Sequence, residues 1–112
     1  MDMELPNRAR AYVPVSKLLD YLLSEKHPVG RAKARFLREA GFDETNVELL
    51  EHGLLEIAQS GQVLEAQSSP YGTKYIVQGT IHAPQGERIT LQTIWIIEVG
   101  QNRPRFVTAY PI

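Results

Sequence analysis

Lys33 is a charged residue in an apolar setting. Spacing the residues from Gly30 to Ala40 at about 100° intervals gathers Ala32, Phe36, Ala40, Lys33 and Leu37 on one arc. A cation therefore falls inside the greasy face of a helix. An ammonium aimed at a core must snorkel, pair with a carboxylate or line a cleft, because burial without a partner costs on the order of several kcal/mol. Two readings follow. In one, Lys33 pairs with Glu51, which lies beside the apolar stripe of the next helix between Leu55 and Ala58. In the other, it lines a phosphate-binding cleft between helix and sheet.

The end of the chain carries groups that suit the second reading. Alternation from Arg105 to Tyr110 puts Phe106, Thr108 and Tyr110 on one side of a strand and Arg105, Val107 and Ala109 on the other. Thr108 and Tyr110, with Lys33, have the donors to hold a phosphate and to stabilise the charge that develops in phosphoryl transfer. The plainer reading is that Thr and Tyr are ordinary strand formers. His27, just before the basic helix, either exchanges protons near neutral pH or is a surface histidine of a His-Pro turn. Arg31, Arg35 and Arg105 are the phosphate-binding candidates. Arg31 and Arg35 are equally well explained, with Arg38, as a solvated stripe opposite Lys33.

Other chemistries lack their residues. The chain has no cysteine, which excludes a disulfide framework, a thiolate metal site and a cysteine nucleophile. His27, His52 and His82 are too widely separated to specify a metal site. No G-x-x-x-x-G-K, G-x-G-x-x-G or G-x-S-x-G motif occurs, so nucleotide hydrolysis, dinucleotide binding and the common serine-hydrolase design find no support. The expectation is a site with neither metal nor cofactor.

The elements that must position these residues follow from periodicity. Ala11-Tyr12-Val13 reads as a short strand stopped by Pro14. Ser16 then caps a helix with Val15, Leu18, Leu19, Leu22 and Leu23 on one face. His27-Pro28-Val29-Gly30 breaks it, and the basic helix runs from about Gly30 to Ala40, with Gly41 as a left-handed stop. Thr45 and Glu48 form a capping-box pattern ahead of a third helix, striped by Val47, Leu50, Leu54, Ile57 and Ala58 and ended by Ser60-Gly61.

Beyond that point the period changes to two. A strand near Val63 to Ala66 starts a sheet. Tyr75, Val77, Gly79 and Ile81 then alternate with Ile76, Gln78, Thr80 and His82, and Pro84-Gln85-Gly86 makes a turn. Ile89 to Val99 is a long β-branched strand around Trp95, Gly100-Gln101-Asn102 closes a hairpin, and Arg105 to Tyr110 is the last strand. Helices first and strands afterwards indicate an α+β fold, with N-terminal helices packed on one face of a four-stranded antiparallel sheet.

At 112 residues the chain fits one domain spanning residues 1–112. Its net charge of −1 hides a segregation: Lys26 to Arg38 holds five cations and no acid, Glu39 to Gln67 seven acids and no cation. A focused basic patch attracts phosphate on a neutral protein, since local potential steers association; equally, the two segments can face each other or solvent. No apolar run approaches the roughly 18 residues of a membrane span, and a cytoplasmic protein without membrane contact is expected.

Several runs carry a resemblance: Leu18-Leu19-Asp20-Tyr21-Leu22-Leu23; His27-Pro28-Val29-Gly30-Arg31-Ala32-Lys33-Ala34-Arg35-Phe36; Tyr71-Gly72-Thr73-Lys74-Tyr75; Thr93-Ile94-Trp95-Ile96-Ile97; and Pro104-Arg105-Phe106-Val107-Thr108-Ala109-Tyr110. From Tyr12 onward the sequence resembles a bacterial toxin-like family of unassigned function. Its members stand alone beside another small gene or end larger toxin-like and phage proteins. Helices followed by a four-stranded sheet and a closing Thr108-Ala109-Tyr110-Pro111 also resemble the barnase, EndoU, colicin and RelE class of ribonuclease toxins. That likeness implies metal-independent RNA cleavage, in which a 2′-hydroxyl attacks the adjacent phosphate. The chain departs from many such enzymes in lacking a histidine near Thr108, which leaves the general base open.

Two functional expectations result. In the first, a toxin-like endoribonuclease uses Lys33 and Arg105 on phosphate, Thr108 and Tyr110 to orient it, and His27 or Lys33 to move protons; its partners are RNA and a small antitoxin-like protein. In the second, a non-catalytic interaction module binds a small protein encoded nearby through its acidic third helix or an exposed sheet edge. Edge strands also leave room for a homodimer.

Overall fold

Four runs of alternating residues build one antiparallel meander. The strands are β1 (Gln62–Ser69), β2 (Gly72–His82), β3 (Arg88–Glu98) and β4 (Arg105–Pro111), hydrogen-bonded in the order β1-β2-β3-β4. The computed structural model describes residues 4–24, 26 and 31–112. Ahead of the sheet lie a 3₁₀ turn (Arg8–Arg10), α1 (Val15–Lys17) running into a π-helical turn (Leu18–Leu22), α2 (Arg31–Glu39) and α3 (Val47–Ser60). The fold is α+β, with helices packed against a four-stranded antiparallel sheet. No described helix is long and apolar enough to cross a membrane.

The face that receives α3 is set by β2 and β3. Tyr75, Val77, Gly79 and Ile81 pair with Trp95, Thr93, Leu91 and Ile89, so these residues share one side of the sheet, as the alternation predicts. Two glycines let helix and sheet approach closely. A Cβ on Gly79 would lie 2.9 Å from Ile57 Cγ1, and one on Gly53 would lie 2.9 Å from Ile81 Cγ2. Leu18, Leu22, Leu23, Leu37, Phe42, Leu50, Leu54 and Ile57 join Trp95 and Phe106 in a single cluster. The Trp95 and Phe106 rings meet edge to face at 5.3 Å.

Local chemistry moves several helix boundaries. Ser16 does not cap α1; Pro14 precedes it, and no side chain bonds its first N–H groups. The helix then widens, with Leu23 N–H donating to Leu18 O at 2.9 Å. That five-residue step buries Leu18, Leu22 and Leu23 together while leaving Val15 and Leu19 exposed. Tyr21 consequently stays at the rim of the core. The expected strand at Ala11-Tyr12-Val13 shrinks to a parallel bridge from Tyr12 to Arg105. Tyr12 N–H donates to Pro104 O, and Phe106 N–H to Tyr12 O, both at 3.0 Å, so the bridge covers the start of β4 and leaves its later half as an edge.

The capping box at Thr45 does not form either. Thr45 turns back to Asp43, its N–H donating to Asp43 Oδ1 at 2.8 Å, while Asn46 occupies the N-cap and donates from Nδ2 to Gly41 O at 2.8 Å. Thr45 N–H and Oγ1–H together hold the Asp43 carboxyl below its usual range. Gly41 does stop α2: at φ 107°, it donates to Arg38 O, and Phe42 donates to Leu37 O, both at 3.0 Å. This is the paired C-terminal closure that a left-handed residue allows. Arg38 is not a member of a solvated stripe. It donates from Nε to Leu23 O at 2.9 Å and pairs with Glu44. That guanidinium, through its hydrogen bonds, holds the Glu44 carboxyl down at about 2.

Among the described residues, Thr93 is the one polar residue that is fully buried. Its hydroxyl donates to Val77 O at 2.7 Å and accepts from Trp95 Nε1–H at 2.8 Å, fixing the indole between strands. Thr93→Val keeps the shape but strands a buried N–H and a buried carbonyl, at a cost of about 2–4 kcal/mol. Urea unfolding is expected to show that loss with the slope unchanged, while Thr93→Ser retains most of the stability.

Candidate active site

A β-bulge decides what the last strand presents. Ile94 pairs with Thr108 and Trp95 with Phe106, leaving Val107 as the extra residue. Strict alternation had put Phe106, Thr108 and Tyr110 on one side. The bulge separates them: Phe106 faces the core beside Trp95, and Ala109 faces it beside Thr93. Thr108 and Tyr110, opposite Ile94 and Gln92, point to the other side, away from α3.

Lys33 reaches the same place from α2. The buried arc of that helix is Ala34, Leu37 and Ala40, with Ala32 and Phe36 outside it. The core-facing side is thus rotated toward Ala34 relative to the arc read from the sequence, and Lys33 remains at its border, half-buried. Its ammonium donates to Tyr21 OH at 2.8 Å and to Thr108 Oγ1 at 3.0 Å, and these two hydroxyls lie 3.1 Å apart. One cation and two hydroxyls close a triangle across three chain segments. Glu51 is not its partner: no ion pair among the described residues involves Lys33. An ammonium has three N–H donors, so one is left without a protein acceptor among the described residues.

Aromatic rings wall this triangle. Lys33 Nζ lies 5.2 Å from the Tyr21 ring centroid and 5.5 Å from that of Tyr110, distances at which a ring quadrupole attracts a cation. Lys17 Nζ approaches the Tyr21 ring at 5.3 Å. Gln92 Nε2–H donates to Tyr110 OH at 3.3 Å, which steadies that ring at the open edge. Desolvation pushes the Tyr21 phenol upward, but the hydrogen bonds from Lys33 and Thr108 and the charges of Lys33 and Lys17 outweigh it. The net result lies below the ordinary value of 10.0, so Tyr21 is a phenol biased toward losing its proton.

The remaining candidates lie elsewhere. Arg31 and Arg35 are exposed on the side of α2 opposite Lys33, and Arg105 donates from Nε to Glu98 Oε1 at 3.0 Å. His27 lies outside the described residues. The described residues contain no group of three or more His, Cys, Asp or Glu able to hold a metal. Sequence reading missed Tyr21, although a signal was present. A tyrosine four residues after Lys17, on a helix otherwise lined with leucines, needs a partner for its hydroxyl.

Comparison with known proteins adds family and fold. A family model described as domain of unknown function (DUF6883) matches residues 4–112. Among solved structures, a chain of a contact-dependent growth inhibition toxin–immunity protein complex from Klebsiella pneumoniae 342 superposes with a TM-score of 0.73 at 19% sequence identity. The likeness covers 93% of this chain and 95% of that one, and it shows a shared fold. A search of curated proteins finds no match.

The Tyr21 environment has a spectroscopic consequence. Tyrosinate absorbance near 295 nm, followed against pH, is expected to include a phenol that titrates below the ordinary tyrosine value. Tyr21→Phe removes that component, and Lys33→Met moves it upward. Because the folded value is the lower one, the added stability is complete above the unfolded value and is lost as pH falls through the folded value. A titration that Tyr21→Phe leaves unaltered would overturn this account.

Proposed function

We propose that this chain, which belongs to the DUF6883 family, is a toxin-like endoribonuclease that works without a metal ion and has its active site at Lys33, Tyr21, Thr108 and Tyr110. The observation that carries the reading is Lys33 itself. It is a half-buried ammonium held, among the described residues, by two hydroxyls and no carboxylate, with one N–H donor left over. Such a group attracts an anion, because no carboxylate among the described residues pairs with it. The fold shared with a chain of a toxin–immunity protein complex fits a toxin or an immunity protein alike.

The chemistry is a transesterification within RNA. A phosphate accepts hydrogen bonds from Lys33 and Thr108. The neighbouring 2′-oxygen forms a bond to phosphorus and gives its proton to Tyr21 in the ionised form that the charges of Lys33 and Lys17 favour. The bond from phosphorus to the 5′-oxygen breaks, and that oxygen takes a proton from the Tyr110 hydroxyl. The products are a 2′,3′-cyclic phosphate and a 5′-hydroxyl, with Lys33 stabilising the extra negative charge between them. Arg31 and Arg35 draw the polyanion toward α2. In this scheme Tyr21 supplies the base that the lack of a histidine near Thr108 leaves open.

A second reading rests on α3. Glu48, Leu49, His52 and Glu56 are all exposed there, Leu49 at 54%, and a groove of about 280 Å³ lined by Leu49, His52, Glu56, His82 and Pro84 runs beside them. That surface suits a small basic protein, either as an inhibitor of the enzyme or as the partner of a chain that does not cleave RNA.

Incubation of the purified protein with total RNA in the presence of chelator separates the two. Wild type is expected to cleave and leave cyclic phosphate ends. Lys33→Met should slow cleavage by about 10²–10³-fold, and Tyr21→Phe by about 10²-fold or more, with circular dichroism unchanged. RNA left intact by wild type, together with normal growth of cells expressing it alone, would sink the ribonuclease reading and leave the interaction module.

A further inference from the structure

Across the open face of the sheet, the registers of three strand pairs line up a row of amides beside the Lys33 cluster. Gln62 lies opposite Gln78, Gln78 opposite Gln92, and Gln92 opposite Tyr110. The next row holds Glu65, Ile76, Ile94 and Thr108. Both rows are on the side away from α3, since the residues alternating with them, Val77, Thr93 and Ala109, are buried in the core. Gln78, Gln92, Ile76 and Ile94 are half-buried, so each keeps part of its surface accessible on this face, while Ile96 on the same side is buried. The arrangement is an apolar floor of two isoleucines, bordered on one side by uncharged amides, with Glu65 at its β1 end and a cation with two hydroxyls at its β4 end.

We infer that this face is a nucleobase subsite for single-stranded RNA, with Gln92 and Gln78 reading the edge of a base that lies on Ile76 and Ile94. The inference rests on the reading of Lys33 and Thr108 as the phosphate site. Charge complementarity fixes the occupant's direction: the phosphate sits at Lys33, at the β4 edge, and the base extends inward over β3 and β2. Neighbouring strands are about 5 Å apart, so Gln92 lies about one strand spacing and Gln78 about two from Tyr110. A base attached to that phosphate therefore meets Gln92 first and Gln78 next.

The amide is the group for the task. It presents a donor and an acceptor side by side and matches the paired groups on a base edge without adding charge. Gln92 is also held in place, because its Nε2–H already donates to Tyr110 OH. One orientation of its carbonyl and remaining N–H is thereby favoured. An apolar floor suits any base, whereas the amides discriminate among them. The Tyr110 ring, standing between Lys33 and Gln92, separates the phosphate end of the subsite from the base end.

The test uses short 2′-O-methyl oligonucleotides, which cannot be cleaved because the attacking hydroxyl is blocked. Each carries one central A, C, G or U in an otherwise abasic strand, and binding is followed by fluorescence anisotropy. Wild type is expected to bind one base about tenfold more tightly than the fully abasic strand. Gln78→Ala and Gln92→Ala should each reduce that preference, and the double variant should abolish it, while affinity for the abasic strand is retained. Lys33→Met should weaken every probe and leave the ranking of bases intact. The inference fails if wild type binds no probe, or if the base preference survives the double variant.

Base recognition and cleavage separate in the same set of experiments. A glutamine-dependent preference in a protein that leaves ordinary RNA uncut retains the subsite and removes the cleavage reading. Cleavage of RNA with a base preference indifferent to both glutamines does the reverse.

Discussion

Lys33 cannot be accommodated by packing alone, and much of the helical half is arranged around that constraint. An ammonium at the border of a buried helix face needs oxygen atoms within about 3 Å. Those atoms come from opposite ends of the chain: Tyr21 from the π-helical turn, and Thr108 from the last strand. The contact ties together α2, the widened helix before it and the edge of the sheet. Each partner depends on a local departure from regular structure. Without the five-residue step at Leu18, Tyr21 would follow an ordinary helical face. Without the extra residue at Val107, Thr108 would face the same side as Phe106.

The bulge resolves a conflict built into the sequence of β4. Phe106 and Ala109 must both enter the core, yet they are three positions apart, an odd interval for a strand whose side chains alternate. Inserting Val107 changes the parity once and satisfies both. The residues released to the open face are Thr108 and Tyr110, and they fall at the part of β4 that the Tyr12 bridge leaves uncovered. Bulges recur at sheet edges and next to functional sites because they re-aim a side chain without altering the rest of the ladder. Here the core's demand for Phe106 and Ala109 is what presents the polar pair.

The legibility of this chain in its sequence divides along the same line. Strands β2 and β3 and their shared core face were readable, because alternation of apolar and polar residues is a direct image of burial. The third helix and the glycine that stops the second were readable for similar reasons. Lys33, Thr108 and Tyr110 were candidates, and the structure brings those three together. The facing of β4 was not readable, since a bulge appears in sequence as an ordinary strand residue. The capping box at Thr45 lost to Asp43, a nearer acceptor for the same N–H and hydroxyl. Arg38 looked solvated because a helical wheel shows faces of one helix and not the carbonyl of Leu23 or the carboxylate of Glu44. Tyr21 was hidden by its context, a tyrosine among leucines being ordinary core material until a distant lysine is placed against it.

The segregation of charge along the chain acquires a physical reading from this geometry. Arg38 and Glu44 tie the end of the basic segment to the start of the acidic one, and among the described residues no carboxylate pairs with the other cations of α2. Lys33 is served by neutral hydroxyls, and Arg31 and Arg35 stand exposed. The acids of α3 are on a different element, which packs on the opposite side of the sheet from Thr108 and Tyr110. Cations gathered on α2 and acids on α3 give two local potentials of opposite sign, so the net charge that seems featureless when summed over the chain is resolved in space into two patches.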